Sequence, residues 1–225
     1  MKDNDILSLP LFLGLSQAEL SAFRTEKLFS VAPVHKGVVL AEEGQRADTL
    51  TVVMQGSVMC TTHADDKSYT MEELLNAPLV IQPHRLFGLS QRYSSTYTSQ
   101  SVCMVMSIRK NDLVVMMDRS LIFRINFLNV VTSTAEKYEK SLWHQSPKDL
   151  TGKVMAFIKN RCLYPAGHKV LRIHMLDFAR ELGCSRIEVS NALHELEDQE
   201  LLIIKRGGVE VPMLERVRFL PVLPP

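Results

Sequence analysis

Residues 175–194 read MLDFARELGCSRIEVSNALH. Two helices that cross through a tight turn need a small residue where they touch and a residue that tolerates positive φ in the turn. They also need apolar residues where both helices meet a core. With Met175 as the first position, Ala179 is fifth and Gly183 ninth, while Phe178, Leu182, Cys184, Val189 and Ala192 fill the apolar positions. The second helix opens with SRIE (185–188), a Ser-x-x-Glu capping box. This pattern predicts a helix-turn-helix and not an ordinary helical hairpin.

Downstream, ELLIIKRGGVEV (200–211) holds two β-rich runs around Gly207-Gly208, a hairpin signal. Directly after a helix-turn-helix such a hairpin reads as a wing, with Lys205 and Arg206 at its tip placed to meet phosphates. Upstream, DLTGKVMAFIKNRCL (149–163) is amphipathic, with Leu150, Val154, Phe157 and Ile158 inward, and VLRI (170–173) is a short strand. Ser146-Pro147 marks the boundary, Ser as N-cap and Pro at the first helical position. Residues 147–225 therefore read as a winged helix-turn-helix domain.

Before that boundary, residues 120–145 contain no Pro or Gly. Leu121, Ile125, Leu128, Val131, Ala135, Tyr138 and Leu142 form an apolar seam at helical spacing. The seam runs over about 25 residues, roughly 37 Å of helix. It could lie on a β-domain or pair with a second copy as a coiled coil. One small β-domain hardly covers such a length, so residues 119–146 read as a dimerisation helix. KNDLVVMMDRS (110–120) reads as a short helix before it.

The first 118 residues have a different texture. SQAE (16–19) is a capping box for a short helix ending near Phe23. Short apolar runs then alternate with turns: VVLAEEG (38–44), TLTVVMQG (49–56), SVMCTTHADD (57–66) and SQSVCMVMSI (99–108). Gly37, Gly44 and Gly56 fall at strand ends, where positive φ is needed. The spacing predicts an antiparallel β-domain, a sandwich, roll or barrel, over residues 1–118. The whole chain is then α+β.

Composition agrees with a globular protein of 225 residues, 46% hydrophobic and 23% charged. No 18-residue stretch is free of charged and polar residues, so no membrane span is expected. MKDNDILSLPLF lacks a basic n-region and a long apolar core, which points to the cytoplasm. Cys60, Cys103, Cys162 and Cys184 show no metal-ligand spacing and read as free, mostly buried thiols. Net charge is +1; residues 147–225 carry 12 Lys and Arg against 10 Asp and Glu, too weak an excess to argue nucleic-acid binding alone. No P-loop, G-x-S-x-G, H-E-x-x-H or useful Cys/His pairing is present. Glu42 and Glu43 are adjacent and would face opposite sides of a strand, so no enzyme chemistry is expected.

The order of parts resembles the Crp/Fnr family of bacterial transcription regulators over nearly the whole chain. LPLFLGLSQAELSAF (9–23) is similar to the family's N-terminal helix, and HKGVVLAEEGQRADTLTVVMQGSV (35–58) to the opening of its cyclic-nucleotide-type β-roll. LGCSRIEVSNALHELEDQELL (182–202) is similar to its helix-turn-helix. The resemblance implies a β-roll sensor, a homodimer on a long helix and a winged domain on palindromic double-stranded DNA, with RNA polymerase a further candidate partner.

On the second helix, Val189, Ala192, Leu193 and Leu196 face inward. Ser185, Arg186, Ile187, Ser190, Asn191 and His194 are left to face DNA. Arg186 suits guanine and Asn191 adenine, while Ser185, Ser190 and His194 suit phosphates. Glu188 is expected to cap the helix. By resemblance Arg186 holds the family's reading position. Ile187 stands where several members have a polar reader and Asn191 where many have arginine.

Cyclic-nucleotide members carry a Gly-Glu pair and a later Arg-Ser pair. Here Leu89 follows Gly88, and Tyr93 precedes Ser94 with Arg92 one position off. A buried phosphate would lack its partner, so cAMP is not expected to be the effector. The effector and any cofactor stay unidentified: residues 1–59 hold no cysteine for an iron–sulfur cluster, and no motif selects His35, His63 or His84 for haem. Cys60 and Cys103 are the thiols a redox response would use. A β-roll that regulates a protein partner without binding DNA is the alternative.

Overall fold

The structure, a computed structural model, describes residues 3–142 and 147–216, with side chains as far as Glu136 and again from Pro147. In chain order the elements are α1 (Asp3–Leu7), α2 (Gln17–Thr25), β1 (Ser30–Val34), β2 (Val39–Ala41), β3 (Thr49–Gln55), β4 (Ser57–His63), β5 (Tyr69–Asn76), β6 (Leu79–Val80), β7 (Thr96–Ser99) and β8 (Cys103–Arg109). They continue as α3 (Lys110–Arg119), α4 (Leu121–Leu142), α5 (Leu150–Asn160), β9 (Lys169–Ile173), α6 (Met175–Leu182), α7 (Arg186–Asp198), β10 (Ile203–Lys205) and β11 (Gly208–Val211).

The chain divides into two compact units, residues 1–58 with 76–143, and residues 59–75 with 144–225. Residues 59–75 lie inside the stretch 1–118, yet they cluster with the C-terminal residues. Between residues 66 and 99 the apolar pattern names no strand, but β5, β6 and β7 form there.

In the first unit β1, β8, β3 and β6 make an antiparallel sheet, and β2 pairs with β7. Gly56 turns the chain between β3 and β4 at φ +100°, and a Cβ there would sit 2.7 Å from the Val102 carbonyl oxygen. The cap at Ser16 forms as expected: Glu19 N–H donates to Ser16 Oγ, and Ser16 N–H donates back to the Glu19 carboxylate at 2.9 Å. The core gathers Phe12, Phe23, Leu50, Met106, Leu113 and the α4 residues Phe123 and Phe127.

That core packing settles what α4 does with its apolar residues. Phe123 and Phe127 are buried, and Val130 and Val131 pack against the core. Leu121, Ile125 and Leu128 are 66%, 46% and 52% exposed, and Ala135 is exposed as well. The helix thus has two apolar faces, one on its own unit and one turned outward. Val131 leans to the inner face. The side chains of Tyr138 and Leu142 fall outside the described residues.

In the second unit the antiparallel sheet runs β10, β11, β9, β5. Its core joins Met71 of β5 with Val154, Phe157, Phe178, Val189, Leu193 and Leu196. Tyr69 packs edge-on to Phe157 at 5.3 Å, and Arg161 lies over the Phe157 ring while its Nε donates to the Tyr69 hydroxyl at 2.7 Å. These contacts and the β5–β9 ladder are why residues 59–75 belong here. The start of α5 differs from the expected Ser146-Pro147 cap. Asp149 is the N-cap, accepting from Gly152 N–H at 2.8 Å and from the Thr151 hydroxyl at 2.7 Å. Ser146 lies outside the described residues, and the aspartate cap adds a negative charge at the positive end of the helix. Those two bonds, Thr151 first, hold the Asp149 carboxyl below its usual range.

Candidate nucleic-acid interface

Helices α6 and α7 meet through a turn of three residues. Gly183 takes φ +66° and ψ 36°, the left-handed conformation that closes α6 at least cost for glycine. Ala179 and Phe178 are buried where the helices cross. Ser185 then starts α7: Glu188 N–H donates to Ser185 Oγ at 3.3 Å, and Ser185 N–H donates to Glu188 Oε2 at 2.8 Å. The bond from the Ser185 backbone, aided by its side chain, lowers the Glu188 carboxyl below its ordinary value. Glu188 has the capping task expected of it, and Ser185 gives that cap its N–H as donor and its hydroxyl oxygen as acceptor, which leaves the O–H to donate elsewhere.

Val189, Ala192, Leu193 and Leu196 are buried, so α7 has one face fixed to the core. Arg186, Ile187, Asn191 and His194 are exposed on the other side, and Ser190 is half-buried. Ile187, Asn191 and His194 follow i, i+4, i+7 spacing and form one outward stripe. Among the described residues no carboxylate pairs with Arg186. His194 Nδ1 sits 3.6 Å from Glu197 one turn on, which draws it toward the C-terminal end of the helix.

The hairpin β10–β11 follows. Its turn is Arg206-Gly207, with Gly207 at φ +81°, and Gly208 is already paired with Lys205. Gly208 serves a second need: a Cβ there would clash with the Leu171 carbonyl oxygen and stand 3.0 Å from the Arg172 Cα in β9. Arg206 is exposed at the tip. Lys205 Nζ lies 3.6 Å from Glu210 on the neighbouring strand, so its charge is partly answered within the hairpin. His168 bonds the same Glu210 at 2.9 Å and is the main cause that lowers its carboxyl pKa.

Between α6, the start of α7 and the hairpin lies a cleft of about 420 Å³. It brings together Arg186 and Lys205 with His174 and Leu176, two residues that the sequence pattern alone did not select. Leu176 is 72% exposed on α6. Its signal was present: it falls off the stripe of Met175, Phe178, Ala179 and Leu182.

In the first unit, the stretch that the resemblance matches to the family's Gly-Glu and Arg-Ser pairs makes hydrogen bonds of its own. Leu89 projects into solvent. Tyr93 is buried, its hydroxyl donates to the Thr49 carbonyl at 2.9 Å, and burial raises its pKa. Arg92 turns away and donates to the Gly44 carbonyl at 2.7 Å. Gln82 bridges Ser94 and Ser95. Burial, with the Arg85 charge second, lowers the His84 pKa. Among the described residues no group of His, Cys, Asp and Glu is arranged to hold a metal, and no helix is long and apolar enough to cross a membrane.

Neither a family model nor a curated relative matches the sequence. Solved structures do. The chain is similar to the Thermus thermophilus Catabolite Activator Protein, with a TM-score of 0.52 and 18% identity over 90% of this chain and 93% of that one. It also matches DNR from Pseudomonas aeruginosa, with a TM-score of 0.45 and 14% identity over 95% and 94% of the two chains. The first likeness shows the fold: an α+β chain with antiparallel sheets, like that of this activator protein.

Proposed function

We propose that the chain is a dimeric, DNA-binding transcription regulator of the Crp/Fnr type that recognises palindromic operators and does not respond to cAMP. One observation carries this reading. On α7 the buried residues Val189, Ala192, Leu193 and Leu196 leave Arg186, Asn191 and their neighbours on a single exposed face next to a basic hairpin tip. A helix presented this way fits a major groove, with its N-terminal residues at base edges. The shared fold with a Catabolite Activator Protein supports the reading.

Roles follow from chemistry. Arg186 would read guanine through two parallel donors and Asn191 would pair with adenine. Ser185, Ser190, His194, Lys205 and Arg206 would hold phosphates, which position without specifying. The outer face of α4, with Leu121, Ile125 and Leu128, would meet its copy in a partner. Residues 1–118 would carry the sensor, 119–146 the dimer contact and 147–225 the DNA contact. Leu89 and Tyr93 would leave a cyclic phosphate and ribose without partners, which argues against cAMP. Selection of bound duplexes from a random pool tests the reading: it expects an enriched palindrome, and no enrichment overturns it.

A further inference from the structure

Ile187 stands outside the core of its own unit among the described residues. It is 73% exposed, in the first turn of a helix whose core-facing positions are all filled. It lies beside Arg186 and one turn before Asn191, on the outward stripe. A β-branched aliphatic between these polar groups gains nothing from water and has no core to enter.

The surroundings say what could cover it. Arg186 has no carboxylate partner among the described residues, and the adjoining cleft adds Lys205 while the hairpin tip adds Arg206. An exposed apolar side chain next to a guanidinium with no carboxylate partner complements a polyanion that presents apolar groups beside its hydrogen-bonding edges. In a major groove the base edges offer one such group, the C5 methyl of thymine.

We infer that Ile187 reads thymine methyl groups, so that each operator half-site carries an A·T pair next to the base pair read by Arg186. The inference rests on α7 being the DNA-contacting helix. Arg186 and Asn191 supply hydrogen bonds, and Ile187 supplies discrimination by shape and apolar contact. Cytosine in place of thymine would leave the side chain against a polar edge.

Deoxyuridine tests this, because it keeps the Watson–Crick pairing of thymine and removes only the methyl. The probe is the palindromic duplex enriched from a random pool, made with thymidine or with deoxyuridine in each half-site. The wild-type dimer should bind the uridine duplex about fourfold more weakly for each methyl group that Ile187 covers, or about fifteenfold when one such methyl is absent from each half-site. Ile187→Ala should bind the thymidine duplex at the weakened level and be indifferent to uridine. Equal wild-type affinity for both duplexes overturns the role of Ile187 and leaves DNA recognition standing. The same holds if no A·T pair is enriched beside the Arg186 position. Failure to enrich any sequence overturns both. The uridine comparison uses only the wild-type chain, so it does not depend on how the variant folds.

Discussion

Glu73 and Lys169 face each other directly across β5 and β9, with Oε2 and Nζ 3.0 Å apart and both side chains out of water. The ammonium makes an ion pair there and no well-aligned hydrogen bond. The carboxylate also accepts the backbone N–H groups of Leu163 at 2.7 Å and Tyr164 at 3.2 Å. A residue from the arm 59–75 thus ties down the loop after α5. At the edge of the same ladder Arg172 forks onto Glu72 with bonds of 2.7 and 3.0 Å.

Removing one partner of a buried pair leaves an uncompensated charge, which costs about 3–5 kcal/mol. Glu73→Ala should lose stability on that scale, because Lys169 and two N–H groups lose their acceptor together. Replacing both residues by apolar ones, Glu73→Leu with Lys169→Met, should recover only the part due to the unpaired ammonium, because the Leu163 and Tyr164 N–H groups still lack their acceptor. Urea denaturation followed by circular dichroism measures both. A single variant as stable as wild type would show that the pair does not hold the arm.

The same residue explains why β5 is hard to see in the sequence. Glu72-Glu73 breaks the apolar alternation of YTMEELLN, and a carboxylate in mid-strand reads as solvent-facing until its partner is known. That partner lies 96 positions away at Lys169, beyond any local pattern. The α6–α7 pair is the opposite case. Its crossing residue Ala179, its turn at Gly183 and its cap at Ser185 all act within a few positions, so spacing alone locates them. For α4 the seam was legible, but the second apolar face through Phe123 and Phe127 was not separated from it. Two overlapping stripes on one helix look like general hydrophobicity.

The two faces of α4 should respond differently to mutation. Leu121→Glu with Leu128→Glu places charges on the exposed face, where the fold has no stake, and should release monomers. Phe127→Ala empties the inner face and should cost about 3–5 kcal/mol of stability. Val131 belongs to the inner face and is a poor choice for testing the dimer. Analytical ultracentrifugation at micromolar concentration separates the outcomes, and a monomeric wild type removes the dimer reading altogether.

The capping box should give α7 a pH dependence of definite sign. The Glu188 carboxyl is held below its ordinary value of 4.5 by its bond to the Ser185 backbone. A group lowered in the folded state stabilises it above the ordinary carboxylate range. That contribution is lost as pH falls through the lowered value. Wild type should therefore lose stability on acidification more steeply than Glu188→Gln. Ser185→Ala should cost about 1 kcal/mol at neutral pH. A titration of Glu188 by NMR with an unshifted midpoint would contradict the cap.

Restoring the missing arginine should not create a cAMP receptor. Tyr93 is buried and its hydroxyl donates to the Thr49 carbonyl, so Tyr93→Arg takes a charge out of water and removes that donor. Leu89 still supplies no carboxylate for the ribose. Calorimetry should find no micromolar cAMP site in the wild type or in the variant, and the variant should be less stable.

Arg186 and His194 should separate base reading from phosphate contact. Arg186 lies in the first turn of α7 with its guanidinium free of carboxylates among the described residues, and His194 sits two turns on, drawn toward Glu197. Arg186→Ala should cost about 1–3 kcal/mol per half-site on the selected duplex and relax preference at one base pair, with little change on random duplexes. His194→Ala should weaken both duplexes alike, if it acts on phosphate, and lower the dependence of log K on log salt by about one. A salt series on specific and random duplexes reads both quantities at once. Should Arg186→Ala weaken the two duplexes equally, Arg186 is an anchor on the backbone. Asn191 then takes its place as the residue that reads sequence, because it is exposed on the same face and its side-chain amide can pair with adenine.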